Sequence, residues 1–168
     1  MALQFPNDQS ERFSVYGFSI HYPLVCRLEF NPKSLRGKGD VVFHFPDREK
    51  LFVTWGNLSA AQKTFRTLEN QVEHSMKSIK KSSNIRNLTR SSDSQEVNSH
   101  RAVYNHLQLE ELGPGLISRA KIPRSAYSVH LHCPNSERFF AIYSPLTPMA
   151  PEDFGDLFKA MVSTFKCH

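Results

Sequence analysis

The chain reads as α+β: an antiparallel β-sheet flanked by helices. Three observations predict it. Residues 126–133 alternate apolar and polar side chains without error, the period of a strand with two unlike faces. Residues 59–81 instead carry Ala61, Phe65, Leu68, Val72, Met76 and Ile79 at spacings of three and four, the period of an amphipathic helix. Successive strand-like runs are separated by short turn-forming segments, and strands joined that way pair antiparallel.

Taken in order, residues 1–10 are a polar lead-in, expected to be flexible, and 11–168 form one domain. In residues 11–22, Phe13 and Val15 share one parity while Phe18, Ile20 and Tyr22 share the other. Gly17 stands at the phase change, which predicts a turn or bulge there. A short strand at 26–30 leads into a loop with Pro32, Gly37 and Gly39. Residues 41–45 and 51–55 are apolar runs on either side of a turn, a hairpin whose weak alternation predicts cover on both faces. Ser59 and Gln62 match a capping box, so one helix is expected over 59–81, dissolving at Ser82, Ser83 and Asn84.

Residues 97–112 then read as one long strand ending at Gly113-Pro-Gly115. In 126–133, Tyr127, Val129, Leu131 and Cys133 take one face, and Ser128, His130 and His132 the other. Residues 138–143 are the hairpin partner. Pro151 suits the first position of a last helix reaching 165, with Phe154, Leu157, Phe158, Met161, Val162 and Phe165 as its apolar stripe.

The totals agree with a globular domain. In 168 residues, 39% are hydrophobic and 22% charged, enough to bury a core without staples. No run approaches the ~20 apolar residues of a membrane helix. The first ten residues lack the basic and apolar regions of a signal peptide, so a cytoplasmic location is expected. Cysteines occur at 26, 133 and 167 with no CxxC spacing, which supports neither a zinc knuckle nor a disulfide framework. Cys133 reads as a small core residue and Cys167 as exposed.

The opening Phe13-Ser-Val-Tyr-Gly-Phe-Ser-Ile-His-Tyr-Pro23 resembles the "FxixYP" start of the PsbP-like superfamily. That group includes the PsbP subunits of photosystem II and a yeast Ran-binding nuclear transport factor. Val97-Asn-Ser-His-Arg-Ala-Val-Tyr104 is similar to a family strand opening with asparagine-glycine-x-x-alanine, although Ser99 replaces the glycine. Met161-Val-Ser-Thr-Phe-Lys166 resembles the closing helix and its "SFK"-type end. The resemblance implies an α/β/α sandwich built on an antiparallel sheet. It implies little about activity, because members serve as scaffolds, adaptors and assembly factors for unrelated partners. No partner-binding residue of a member maps onto this chain, and without a plastid leader a photosystem role is not expected.

Chemistry is sparse. His130 and His132 leave one strand face ~7 Å apart, and they are weak metal candidates if His100 or His106 on the preceding strand adds a ligand. The alternative is two histidines tolerated on a solvated face or bonded beneath a helix. There is no HExxH, Walker-type loop, dinucleotide fingerprint or nucleophile elbow, so neither an enzyme nor a cofactor is expected. Arg36-Gly-Lys-Gly-Asp40 could cradle phosphate, but a hairpin-like loop needs such glycines anyway.

The net charge is +5, with a pI near 9.2. Lys77, Lys80, Lys81, Arg86 and Arg90 fall in one stretch without an intervening acid. This possible binding surface reads as a solvated helix end and loop, as a dock for an acidic protein, or as a nucleic-acid contact. The expected function is a non-enzymatic cytoplasmic adaptor that holds a protein partner. A nucleic-acid accessory factor using residues 77–90 is the alternative, and a metal-dependent or hydrolytic enzyme the third. No membrane partner is expected.

Overall fold

A computed structural model describes residues 9–47, 49–81, 84–114, 120–145, 147–148 and 152–168. The period-2 segments become strands: β1 (Ser10–Val15), β2 (Phe18–Pro23), β3 (Arg27–Phe30), β4 (Gly39–His44) and β5 (Lys50–Asn57). Two helices follow, α1 (Leu58–Phe65) and α2 (Leu68–Lys80). Then come β6 (Ile85–Val97), β7 (His100–Leu112), β8 (Lys121–Cys133), β9 (Arg138–Tyr143), β10 (Thr147–Pro148) and α3 (Glu152–Ser163). The main sheet is antiparallel in the order β3-β4-β5-β9-β8-β7-β6, with β10 added to β8, and β1-β2 form a separate ribbon.

The predicted α+β class and antiparallel sheet are present. The phase change at Gly17 is the β1-β2 turn, where Tyr16 and Gly17 both take positive φ, 59° and 72°. A two-residue turn of this hand matches the twist of its strands. Alternation also places the face of β8 as expected. Val129, Leu131 and Cys133 enter the main core with Phe18, Ile20, Phe43, Trp55 and Phe140 of other strands and with Phe158 and Met161 of α3. The opposite face packs Val103, Leu107 and Ala126 under Leu68, Val72 and Met76 of α2. The sheet therefore lies between α3 with the ribbon on one side and α1-α2 on the other.

Four local expectations are corrected. The helix expected over 59–81 is two helices, broken where Arg66 adopts φ 67° and the Thr67 hydroxyl caps α2 by accepting from Asn70 N–H. The apolar spacing runs unbroken through the break, because Phe65 and Leu68 keep the helical period across it. The cap of α1 is Asn57, whose Oδ1 accepts from Ala60 N–H at 2.9 Å, and Ser59 donates to that same oxygen at 2.7 Å. The strand expected over 97–112 is the end of β6, a turn at Asn98-Ser99 and then β7. The hairpin is covered on both faces at Val41, Val42 and Phe43 of β4, as expected, but on one along β5, where Leu51, Val53 and Trp55 are buried while Phe52 and Thr54 stay partly open.

The basic loop after α2 is also a strand. β6 was hidden because it is an edge with few buried residues, so no apolar alternation marks it. Residues 1–8, Ser82, Ser83, Gly115 and Pro151, for which a lead-in, a helix end, a strand end and a helix start are expected, lie outside the described residues, while β1 begins inside the expected lead-in, at Ser10.

Behind α3 the chain returns to the ribbon: Ser19 and Lys166 exchange two backbone hydrogen bonds of 2.8 Å. Arg138 locks this corner. Its buried guanidinium donates to the carbonyls of Tyr16, Gly17, Arg36 and Cys167 at 2.6, 2.7, 3.0 and 3.1 Å.

Candidate functional site

Three places concentrate chemistry. The first is a cleft of about 420 Å³ where α2 leaves the outer faces of β5, β8 and β9 partly open. Met76 and Ile79 form its helix wall, with Leu107, Phe139 and Tyr143 on the sheet side. The Phe52 ring stacks on Tyr143 at 5.2 Å beside it. Thr54, Gln71, Ser75, Ser78, Ser128 and Ser144 add polar groups to a lining that is mainly apolar by area, the composition of a ligand cleft.

His130 lies at the base of this cleft. Burial first, then the charges of Arg90 and His132, depress its pKa to about 4, so it is neutral at physiological pH. His132 shares the face, as the strand period dictates, and its Nε2 lies 2.8 Å from Gln71 Oε1. Its pKa is also lowered, mainly by burial, with Glu69 opposing.

The ligand set expected around this pair is not assembled. His106 is the cross-strand partner of Tyr127, stacked on its ring at 4.5 Å, and so projects from the other face. His100 likewise lies opposite Cys133, not beside His130. Period-2 reasoning pairs residues within one strand, but only the register between strands says which residues of two strands meet.

The second place is the basic segment. Lys77 and Lys80 occupy the last turn of α2, where cations complement the helix dipole, and Lys81 is its C-cap. Arg90 turns back under α2, pairing with Glu73 and donating to Asn105 Oδ1 at 2.9 Å. That contact, chiefly the Arg90 hydrogen bond, holds the Glu73 carboxyl below its usual range. Arg86 lies on β6 with its Nη1 on the Ile85 carbonyl. Arg90, Lys77 and Lys80 thus lie near Glu73, and Arg86 is the cross-strand partner of Glu110. Lys33, Arg36 and Lys38 sit between β3 and β4, at the edge of the sheet opposite β6. The Arg36-Gly-Lys-Gly-Asp40 loop is a tight turn closed by Leu35 and Lys38. Gly39 is required there by packing, since a Cβ would come within 2.7 Å of Trp55.

The third place was missed from sequence. His100 begins β7, Cys133 ends β8, and Cys167-His168 follow the Ser19-Lys166 bridge back to them. Cys133 and Cys167 are joined as a disulfide, with Cα atoms 6.5 Å apart. Cys167 is fully buried, not exposed, because that bridge tucks it against the sheet. One nitrogen from each histidine and the two sulfurs lie within 4.8 Å of one another. No local pattern marked this site: the strand expected over 97–112 runs through His100, and 34 residues separate the two cysteines. The third thiol, Cys26, is free, and burial pushes its pKa up to about 11, so it is poorly nucleophilic.

No protein-family model matches the chain, and no curated protein matches it in sequence. Among solved structures, the cyanobacterial PsbP (CyanoP) of Synechocystis sp. PCC 6803 is similar over 100% of this chain and 96% of its own, at TM-score 0.56 and 12% identity. The fold is PsbP-like. A Bacteroides thetaiotaomicron VPI-5482 protein is similar at TM-score 0.57 and 12% identity, over 95% of this chain. The chain spans 49% of that protein. At such identity the PsbP-like likeness concerns backbone architecture, and activity must be argued from the sites themselves. No described helix is long and apolar enough to cross a membrane.

Proposed function

We propose that this PsbP-like chain is a non-enzymatic binding domain that holds a protein partner in the cleft between α2 and the β5-β9-β8 face. The carrying observation is the cleft itself: a mainly apolar surface from Met76, Ile79, Phe139 and Tyr143, interspersed with hydroxyl and amide groups. Such a surface favours an apolar segment of a partner. The neutral His130 at the base suits an uncharged occupant. A cytoplasmic setting is part of the proposal and is checked by fractionating cells that express the tagged chain.

The test is affinity capture from native lysate with the wild-type chain and an Ile79→Glu variant, each with and without nuclease. Ile79 lines the cleft at the half-buried end of α2, so a charge there should remove the partner while leaving the fold in place. Partners that survive nuclease and are lost with Ile79→Glu support the reading. Partners that the variant retains sink it. Loss on nuclease treatment alone would transfer the assignment to nucleic acid and the 77–90 segment.

A further inference from the structure

We propose that His100, Cys133, Cys167 and His168 form a Cys2His2 site for Zn2+ that exists when the Cys133–Cys167 disulfide is reduced. The proposal is independent of the cleft.

Cys133 Sγ lies 3.6 Å from His100 Nε2 and 3.6 Å from His168 Nδ1, and Cys167 Sγ lies 3.3 Å from His168 Nδ1. Tetrahedral zinc holds sulfur at about 2.3 Å and imidazole nitrogen at about 2.0–2.1 Å, which makes each sulfur–nitrogen edge of the tetrahedron about 3.6 Å. Three such edges are already near that length. The rings of His100 and His168 meet edge to face at 5.5 Å, so both imidazoles converge on the sulfurs. The Cys167–His100 and His100–His168 edges lie within 4.8 Å, and the sulfur–sulfur edge must lengthen, because those two atoms are bonded to each other.

Opening that bond takes two electrons. A dithiol reductant supplies them by closing its own disulfide, and each sulfur of this chain gains a proton. The two thiols then release those protons as their sulfurs bind Zn2+. A reducing compartment keeps such a pair as thiols, and thiolate with imidazole is a donor set that zinc favours.

The surroundings suit thiolates. Arg138 is the cross-strand partner of Cys133, buried and bonded to the Cys167 carbonyl. A cation so placed favours ionised sulfur. Asn98, in the β6-β7 turn, donates from Nδ2 to Cys167 Sγ at 3.3 Å, the kind of outer hydrogen bond that orients a ligand. The donor set is also anchored on regular structure: two strand ends and a segment tied to β2 by paired backbone bonds. His168 is exposed and His100 half-buried, which leaves a path for the ion.

The test titrates Zn2+, and Co2+ as a spectroscopic substitute, into the full chain reduced with a phosphine under anaerobic conditions. One ion per chain is expected, with the visible bands and thiolate charge transfer of a tetrahedral sulfur–nitrogen cobalt site. The oxidised chain should bind neither. His168→Ala, at an exposed position, should weaken binding more than about 100-fold, and Asn98→Ala about 10-fold, with circular dichroism confirming that both variants fold. Cys133→Ser should abolish the charge-transfer band, with circular dichroism reporting whether that variant folds. A folded, reduced chain that binds no zinc overturns the proposal. So does binding that His168→Ala leaves unchanged, or cobalt spectra without thiolate ligation.

Discussion

Arg138 reaches from β9 to the carbonyl of Gly17, 2.7 Å from its Nη2 and 121 residues away in the chain. The same guanidinium holds the Arg36 carbonyl and the C-terminal segment through Cys167. It also lies over the Phe140 ring at 4.9 Å. A lysine keeps the charge but cannot fork to four acceptors. Arg138→Lys should therefore cost about 3 kcal/mol, since hydrogen bonds to charged groups contribute more than neutral ones. Thermal unfolding should move down by roughly 10 °C. An unchanged midpoint would mean the corner is held by the aromatic core alone.

The Tyr104 hydroxyl is buried against α3 with no hydrogen-bond partner among the described residues. Its ring packs on Phe158 at 5.9 Å, so the apolar body already does its part. Tyr104→Phe removes a desolvated polar atom and keeps the ring. Stability should hold or rise by up to about 1 kcal/mol in urea unfolding; a loss would reveal a partner for the oxygen.

Asn98 and Ser99 both take positive φ, 50° and 62°, in the β6-β7 turn. The glycine that PsbP-like sequences place at the second position has a physical reason: no Cβ crowds the left-handed backbone. Ser99→Gly should raise stability by about 0.5–1 kcal/mol after the extra chain entropy of glycine is subtracted. Calorimetry should show an increase of roughly 2 °C.

His130 makes stability depend on pH in a defined window. Its native pKa near 4 lies below the ordinary value of 6.5, so between those two values the unfolded chain takes up a proton that the folded chain does not. Stability is then complete above about pH 7, falls as pH drops through 6.5, and levels near 4, for a loss of about 3 kcal/mol. His106 and His132 shift the same way and add to the slope. Urea unfolding from pH 7.5 to 4.5 should show this, and His130→Gln should flatten the slope by about one proton.

The start of α1 offers a paired test. Asn57→Ala removes the oxygen that accepts from Ala60 N–H and should cost about 1 kcal/mol. Ser59→Ala loses only an exposed side-chain contact and should cost a few tenths. The reverse order would restore Ser59 as the cap.

The fold was legible wherever burial imposed a period. The face of β8, the turn at Gly17 and the stripe of α3 all follow from which side chains must leave water. The break at Arg66-Thr67 escaped because its apolar spacing looks helical, although Thr67 followed by Leu68-Glu69-Asn70 carries a cap residue that a closer reading could use. The sites were less legible. His130 and His132 share a face as read, but their expected companions lie on the other side of the sheet. His100, Cys133 and Cys167 meet through register and a returning C-terminal segment, and no local pattern encodes either.

β6 carries a last consequence. Among the described residues β6 is the outermost strand of the sheet, and ten of its thirteen side chains are polar or charged. Arg86, Arg90, Asp93 and Glu96 make a second copy of the chain a poor neighbour for that edge. The composition that concealed the strand from periodicity is thus what guards the molecule against fibril-like stacking, and replacing those charges with valine or threonine would open a route to aggregation.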